Sequence, residues 1–561
     1  MISFLKRPKT THAFSSSFRT KPATFLNTHA PLFLFALVFT VFFNVTFFKK
    51  LLALYDLPQN LGFVISVTCC LFFVHALLLG LVCWGRARKW LLGGLIAVGG
   101  FSAYYMDNFR VVIDQIMLVN AVQTNPAETA DLLTWRLLLY VIFLVILPIG
   151  LLIKTPWPRA TFLLGLKHRL VYLLLCLLGF VLGVLPAYSH YPSFLRQHKM
   201  VRFYSNPITP IYSSLQFARG MLPKKPVIVR VLDYNPKADQ TESHRELVIL
   251  VLGETARADR FSLNGYKRYT NPLLSNEANV ISLPNLSSCG TSTAVSVPCM
   301  FSALTRESFS DDAFKAEENV IDTLKRAGVN VLWRDNNSDS KGVMKRFSIE
   351  DYKEPALNSV CDVECRDEGM LVGLQKYIDS HPKGDILIVL HAMGSHGPAY
   401  NKRYPKAFEQ FKPACDTVQL EQCDKASIDN AYDNTILYTD YFLSETIALL
   451  KGNSPKFEAS MIYMSDHGES LGENGLYLHG LPYAFAPKEQ KNPAALVWFS
   501  DGALADKTEA KKFETLKKQA AHPYTHDTLF HSLLSLFEVQ TSAYRPELDI
   551  FDERSSATPK E

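Results

Sequence analysis

Five long apolar runs crowd the first 190 of 561 residues: 31–48, 61–84, 90–106, 137–153 and 170–188. A bilayer interior of ~30 Å takes about 20 apolar residues in one helix. Each run lies close to that length, so the sequence predicts a helical membrane domain of five spans. The run 90–106 is the shortest and carries Gly93, Gly94, Gly99 and Gly100, residues that membrane helices tolerate. A mean hydropathy of +0.05 then averages an apolar first third against a polar remainder.

The flanking charges orient these spans. Lys6, Arg7, Lys9, Arg19 and Lys21 precede the first run; Arg86, Arg88 and Lys89 follow the second; Lys154, Arg159, Lys167 and Arg169 follow the fourth. The connection 107–136 carries Asp107, Asp114, Glu128 and Asp131 instead, and Lys49 and Lys50 are the one contrary pair. Lys and Arg stay on the cytoplasmic side. The N-terminus is therefore expected in the cytoplasm, and everything after Tyr188 outside. A cleaved signal peptide is excluded, because no small-residue site follows the first run and four more runs come after it. The expected organisation is a membrane domain over 1–190, a mixed-charge linker over 191–242 and a globular domain over 243–561.

Lys and Arg total 58 against 53 acids, a net charge of +5. That balance lacks the concentrated basic face of a nucleic-acid binder. Hydrophobic residues at 48% and charged residues at 20% exclude a disordered chain. Cys69, Cys70, Cys83 and Cys176 fall in the apolar runs. The other six lie in the outer domain as Cys289 and Cys299, Cys361 and Cys365, Cys415 and Cys423. An even number of cysteines in an oxidising compartment reads as disulfides. Neighbour pairing is expected, since each bridge would brace one local loop.

From Arg245 onward, apolar runs of strand length alternate with helical stretches: 247–252, 329–333, 386–390, 461–464 and 495–499. That alternation predicts an α/β domain with a mainly parallel sheet covered on both faces. Ligands of such sheets bind at the carboxyl ends of strands. Four of these runs end in polar clusters there: Gly253-Glu254-Thr255; Arg334 to Lys341, including Ser338; His391 to Gly397, including His396; and Ser465-Asp466-His467-Gly468-Glu469. Glu254, Asp466 and His467 together suit zinc, which takes carboxylate oxygen and imidazole nitrogen. His396 and His479 are candidates for a second metal or for phosphate, while His391 and His526 read as structural. Lys341 is either a phosphate contact or ordinary surface. For a nucleophile, the hydroxyl-rich segment 288–299 could open a helix whose free N–H groups hold an anion. Thr255, Thr291, Ser292, Thr293 and Ser296 all compete, and spacing leaves them undecided.

The stretches Gly253-Glu254-Thr255-Ala256-Arg257-Ala258-Asp259, 289–299, 333–342, 394–400, Ala431-Tyr432-Asp433-Asn434 and 465–487 resemble the phosphoethanolamine transferases that modify lipid A, including the mobile colistin resistance enzymes. The likeness runs over nearly the whole chain, and the outer domain resembles the alkaline phosphatase and sulfatase superfamily. It implies Thr293 as the nucleophile that carries phosphoethanolamine. It implies zinc on Glu254, Asp466, His467 and Thr293. It also implies substrate or second-metal contacts at His396, His479, Ser338 and Lys341, and a substrate entrance near Asn120, Thr124 and Glu128. The three cysteine pairs match the family's local disulfides, with the loop 361–365 tighter than in some members. The implied donor is phosphatidylethanolamine and the implied acceptor a phosphate of lipid A. The implied location is a bacterial inner membrane with the catalytic domain in the periplasm. The residues leave two alternatives open: the same chemistry on a core sugar, glucan or protein, and an inactive membrane scaffold.

Overall fold

The computed structural model describes residues 24–123, 134–158, 161–191, 194, 198–221, 228–238, 245–418, 420–454 and 456–555. The chain divides into two compact units, Met1–Gly100 with Tyr140–Lys199, and Phe101–Leu139 with Met200–Glu561.

The first unit is helical. Its principal helices are α1 (Phe25–Phe42), α2 (Val45–Leu54), α3 (Leu57–Val82), the first part of α4 (Arg88–Asn108), most of Trp135–Lys154, and Phe162–Val184. Thr24 caps α1 by accepting from the Asn27 N–H at 3.3 Å, which satisfies one of the donors a helix start leaves open. Small residues let α3 and Phe162–Val184 approach closely. A Cβ on Gly179 would lie 2.3 Å from the Phe73 ring, and one on Gly80 2.6 Å from the Tyr172 ring. Close backbone approach is what drives helix association where both sides are apolar.

Among the described residues, four helices are long and apolar enough to cross a membrane: Phe25–Phe42, Leu57–Val82, Trp135–Lys154 and Phe162–Tyr188. The remaining expected run, 90–106, lies within α4, which has 21 residues. Its glycines, Ser102, the tyrosines and Asp107 dilute its hydropathy below that of the other four, so composition alone does not mark it as a span.

The second unit is built on a seven-stranded sheet in the order β2-β9-β6-β1-β5-β3-β4. The strands are β1 (Arg245–Gly253), β2 (Val280–Ser282), β3 (Asn330–Asp335), β4 (Glu350–Asp351), β5 (Ile386–His391), β6 (Phe457–Ser465) and β9 (Ala495–Phe499). A separate hairpin pairs β7 (Ser470–Leu471) with β8 (Tyr477–Leu478). The β1, β3, β4, β5 and β6 pairings are parallel, and β9 joins antiparallel between β6 and β2. Residues on alternate sides of β1 feed two cores. Val248, Leu250 and Leu252 face one; Leu247, Ile249 and Val251 face the other. A strand buried on both faces reads as an unbroken apolar run rather than an alternating one. All three neighbour disulfides are formed, Cys289–Cys299, Cys361–Cys365 and Cys415–Cys423. Cys69, Cys70, Cys83 and Cys176 remain as thiols.

Candidate active site

Parallel register brings the predicted clusters together. Gly253 on β1 sits opposite Ser465 on β6, Leu252 opposite His391 on β5, and His391 opposite Asp335 on β3. Residues that follow these strands therefore emerge side by side, although 212 positions separate Glu254 from Asp466.

Glu254, Asp466 and His467 are fully buried. One carboxylate oxygen of each acid and one ring nitrogen lie within 4.8 Å of one another. His467 Nδ1 donates to the Gly468 carbonyl at 2.9 Å, so Nε2 presents its lone pair. That atom stands 3.3 Å from Glu254 Oε1 and 3.3 Å from Asp466 Oδ2. Among the described residues, neither Asp466 Oδ2 nor His467 Nε2 has a hydrogen-bond partner. Asp466 Oδ1 is engaged elsewhere, by the N–H groups of Thr255 at 3.2 Å and His467 at 2.8 Å. Burial pushes the Asp466 carboxyl up to about 6. Burial, followed by the neighbouring His479, holds His467 well below its usual value. Two carboxylates and a neutral imidazole aimed at one buried point are costly without a cation. Their donor set of oxygen, oxygen and nitrogen fits zinc.

Above this cluster, Thr293 opens the helix Thr293–Met300, with Ser292 at the N-cap in extended backbone. Thr293 Oγ1 donates to Glu254 Oε2 at 3.0 Å, and Asn337 Nδ2 donates to the same oxygen at 2.9 Å. The structure separates Thr293 from competing hydroxyls. Thr291 Oγ1 donates to the Leu481 carbonyl at 2.6 Å, and Ser296 Oγ accepts from the Gly290 N–H at 3.0 Å. Both hold the loop's own shape. The Cys289–Cys299 bridge ties that loop to the end of the helix. Gly290 has no room for a side chain, since a Cβ there would lie 2.8 Å from Val295.

The two histidines read as structural have such roles. His526 Nδ1 accepts from the Cys289 N–H at 3.1 Å while Nε2 donates to the Ser465 carbonyl at 3.1 Å, so the ring joins the loop before the helix Thr293–Met300 to the end of β6. His391 Nδ1 lies 2.8 Å from Asp335 Oδ2. Asp335 Oδ1 in turn accepts from Asn337 N at 3.0 Å and Asp339 N at 3.1 Å, which folds the 336–341 loop. Burial opposes ionisation of Asp335, but His391 and then Lys353 hold its carboxyl well below the ordinary range.

A cavity of about 350 Å³ opens over Thr293. Its polar wall includes Asn120, Ser338, Lys341, Arg403, His396 and His479, and Phe101, Tyr105, Phe109, Val111, Ile113 and Met117 supply an apolar wall. Ser338 Oγ donates to Asn337 Oδ1 at 2.8 Å, and Lys341 Nζ donates to the Ser338 carbonyl at 2.5 Å. The rings of His396 and His479 lie 5.4 Å apart, and those of His467 and His479 4.4 Å. Burial, then His479 and Arg403, hold His396 well below its usual value. Thr124 and Glu128 lie outside the described residues.

Sequence reasoning assigned no role to Asn337, Glu469 or Tyr400. Glu469 is fully buried, lies 2.8 Å from His479 Nδ1 through Oε2, and accepts from the Tyr400 hydroxyl at 2.7 Å through Oε1. His467, Glu469 and His479 form a second compact group of metal-type donors. The β7–β8 hairpin makes this possible by returning the chain from Glu469 to His479. The apolar wall was also missed, because the segment after α4 reads only as an outer loop.

A carboxylate–imidazole cluster at the strand ends, with a hydroxyl on a helix start above it, defines an enzyme of the alkaline phosphatase and sulfatase class. The Sulfatase family model matches residues 246–539. A model described as Phosphoethanolamine transferase EptA/EptB matches 71–221. The chain is 42% identical over 519 residues to Phosphatidylethanolamine transferase Mcr-1 of Escherichia coli, covering 90% of this chain and 94% of that protein. It is 39% identical over 535 residues to Phosphoethanolamine transferase EptA of Escherichia coli K12, covering 94% and 96%. The integral membrane lipooligosaccharide phosphoethanolamine transferase A of Neisseria meningitidis superposes with a TM-score of 0.88 at 32% identity, covering 93% of this chain and 98% of that one. This chain belongs to the phosphoethanolamine transferase family.

Proposed function

We propose that this protein transfers phosphoethanolamine from phosphatidylethanolamine to a phosphate of lipid A through a covalent intermediate on Thr293. The observation that carries the reading is the placement of Thr293 Oγ1 on Glu254, at the base of a cavity with one polar and one apolar wall. An amphiphilic donor needs both walls. The donor and acceptor classes are supported by the names of the relatives, a phosphatidylethanolamine transferase and a lipooligosaccharide transferase.

Glu254, Asp466 and His467, with Thr293, would hold zinc, which supplies charge neutralisation on phosphoryl oxygens and a lower pKa for the threonine hydroxyl. Asn337 fixes the Glu254 carboxylate by its 2.9 Å donation. Thr293 Oγ forms a bond to phosphorus as the bond from phosphorus to the glycerol oxygen breaks, and the proton lost by the threonine hydroxyl ends on that glycerol oxygen, so neutral diacylglycerol leaves. A lipid A phosphate oxygen then forms the new bond to phosphorus and Thr293 departs and is reprotonated. Two displacements through one covalent form predict ping-pong kinetics. His479, its Nδ1 proton held by Glu469, keeps Nε2 as the ring's proton acceptor beside the reacting phosphoryl group. Lys341, Ser338 and His396 receive the phosphate oxygens, and Asn120 stands at the cavity wall beside them.

This reading places a membrane domain in 1–190, a bridging segment in 191–242 and a periplasmic catalytic domain in 243–561 of an inner-membrane protein. The added ethanolamine charge lowers the negative charge of the outer surface, which weakens cationic polymyxin binding. The test is mass spectrometry of lipid A from cells producing the protein or Thr293→Ala. A species heavier by one phosphoethanolamine, absent with the variant, is expected. Unchanged lipid A in both would overturn the acceptor.

A further inference from the structure

The helical unit contains a second cavity, of about 1020 Å³, between the start of α1, the end of α3, the end of Trp135–Lys154 and the start of Phe162–Val184. Arg86, Arg88, Lys89, Lys154 and Arg169 line it, and among the described residues its wall holds no aspartate or glutamate. The sequence makes this imbalance general. Within 1–100 and 140–199, Asp56 is the sole acid. It precedes the opposite end of α3, a helix of 26 residues, and so stands on the order of 40 Å away.

Neutral groups position three of these cations. The Arg169 guanidinium lies over the Trp84 ring at 4.0 Å and donates to the Leu81 carbonyl. Arg88 lies over Trp157 at 4.9 Å and donates to its carbonyl at 3.2 Å. Lys89 donates to the Ile153 carbonyl at 2.9 Å. Helix-end carbonyls and aromatic faces anchor cations favourably, but they cancel no charge. Like charges gathered at one cavity need an external anion. The N-terminal stretch 1–23 cannot supply it, because it carries five Lys and Arg residues and no acid.

The rim indicates the source of that anion. Trp84 is 42% exposed, Trp90 84% and Phe162 73%. Exposed aromatic rings at the ends of spanning helices lie at headgroup depth. We propose that this cavity binds the phosphodiester headgroup of an anionic glycerophospholipid. Arginine forks match phosphate oxygens in pairs, and basic pockets between spanning helices take headgroups of this kind. Phosphatidylethanolamine is disfavoured here, since its ammonium would meet five cations. The site is separate from the catalytic cavity and does not depend on the reaction proposed above.

The test uses delipidated full-length protein in detergent and native mass spectrometry with phosphatidylglycerol, phosphatidylethanolamine or inorganic phosphate. Phosphatidylglycerol should bind about tenfold or more tighter than phosphatidylethanolamine. Arg88→Gln/Lys89→Gln/Arg169→Gln should lose that preference. Arg86→Gln/Lys154→Gln, which alters exposed side chains only, should weaken it by about tenfold if the triple variant fails to fold. Lys49→Gln/Lys50→Gln, removing two charges at the other end of the helices, should change nothing. Equal binding of the two lipids, or an equal loss in the Lys49/Lys50 variant, would overturn the site. Displacement of phosphatidylglycerol by an equal concentration of inorganic phosphate would assign the cavity to a free anion and overturn the lipid.

Discussion

Thr293 Oγ1 lies 3.0 Å from Glu254 Oε2, while the other oxygen of the same carboxylate lies 3.3 Å from His467 Nε2. One side chain thus joins the hydroxyl to the buried donor cluster. The hydroxyl rides on a helix braced by a disulfide, and the acid on the end of a central strand, so neither can move alone.

Removing the hydroxyl should abolish transfer while sparing most of the donor cluster. Thr293→Ala is expected to lower kcat by about 10³-fold or more, and Thr293→Ser to recover part of it. Both should retain zinc by elemental analysis, because Glu254, Asp466 and His467 remain.

Asn337 donates to Glu254 Oε2 and, at 2.9 Å, to the Ala392 carbonyl. It therefore fixes the acid from behind. Asn337→Ala should weaken zinc affinity by about 10- to 100-fold, read by competition with a chelator. Thermal stability in excess zinc should change little. An unchanged affinity would remove Asn337 from the metal's support.

Glu469 orients His479 by the 2.8 Å contact at Nδ1, and Tyr400 orients Glu469. Glu469→Gln should lower kcat by about 10- to 100-fold and shift the pH–rate profile, since the ring loses its anionic partner. Tyr400→Phe should act in the same direction and less strongly. An identical pH profile in both variants would make the contact merely structural.

At the far end of the sheet, Glu246 on β1 lies opposite Glu458 on β6. Glu509 and Lys512 face it from the helix Lys507–Gln519, and Glu538, in the turn after the helix Thr528–Leu536, lies 3.5 Å from Lys512 Nζ. Burial, then Glu509 and Glu458, push the Glu246 carboxyl from 4.5 up to about 11. A carboxyl raised in the folded state gives stability that is full below 4.5 and is lost as pH rises toward the folded value. Glu246→Gln keeps the neutral shape without the titration. Its Tm should exceed that of the unaltered protein at about pH 9 and converge with it near about pH 4. A lower Tm at the alkaline end would contradict this.

Much of the site was legible because Glu254, Asp466 and His467 each directly follow an apolar run that had to be a strand, and parallel strands deliver their ends to one edge. The neighbour disulfides were legible for a similar local reason. The proposed nucleophile was not legible from spacing. Five hydroxyls shared the loops, and Thr293 is distinguished only by where the helix start points it. The Glu469–His479 contact depends on a hairpin with two residues in each strand, too short to leave a periodic signal. Phe109, Val111 and Ile113 gain meaning only when folded around the cavity over Thr293. The run 90–106 shows the limit of hydropathy: it forms a helix, but glycine and tyrosine hide its length.

In the proposed reaction Thr293 carries the transferred group. The most direct measurement is peptide mass spectrometry of the 289–299 segment after incubating the full-length protein with phosphatidylethanolamine and no acceptor. A phosphoethanolamine adduct located on Thr293 is expected, discharged when lipid A is added. An adduct on another residue, or release of diacylglycerol with no adduct at any time, would contradict it.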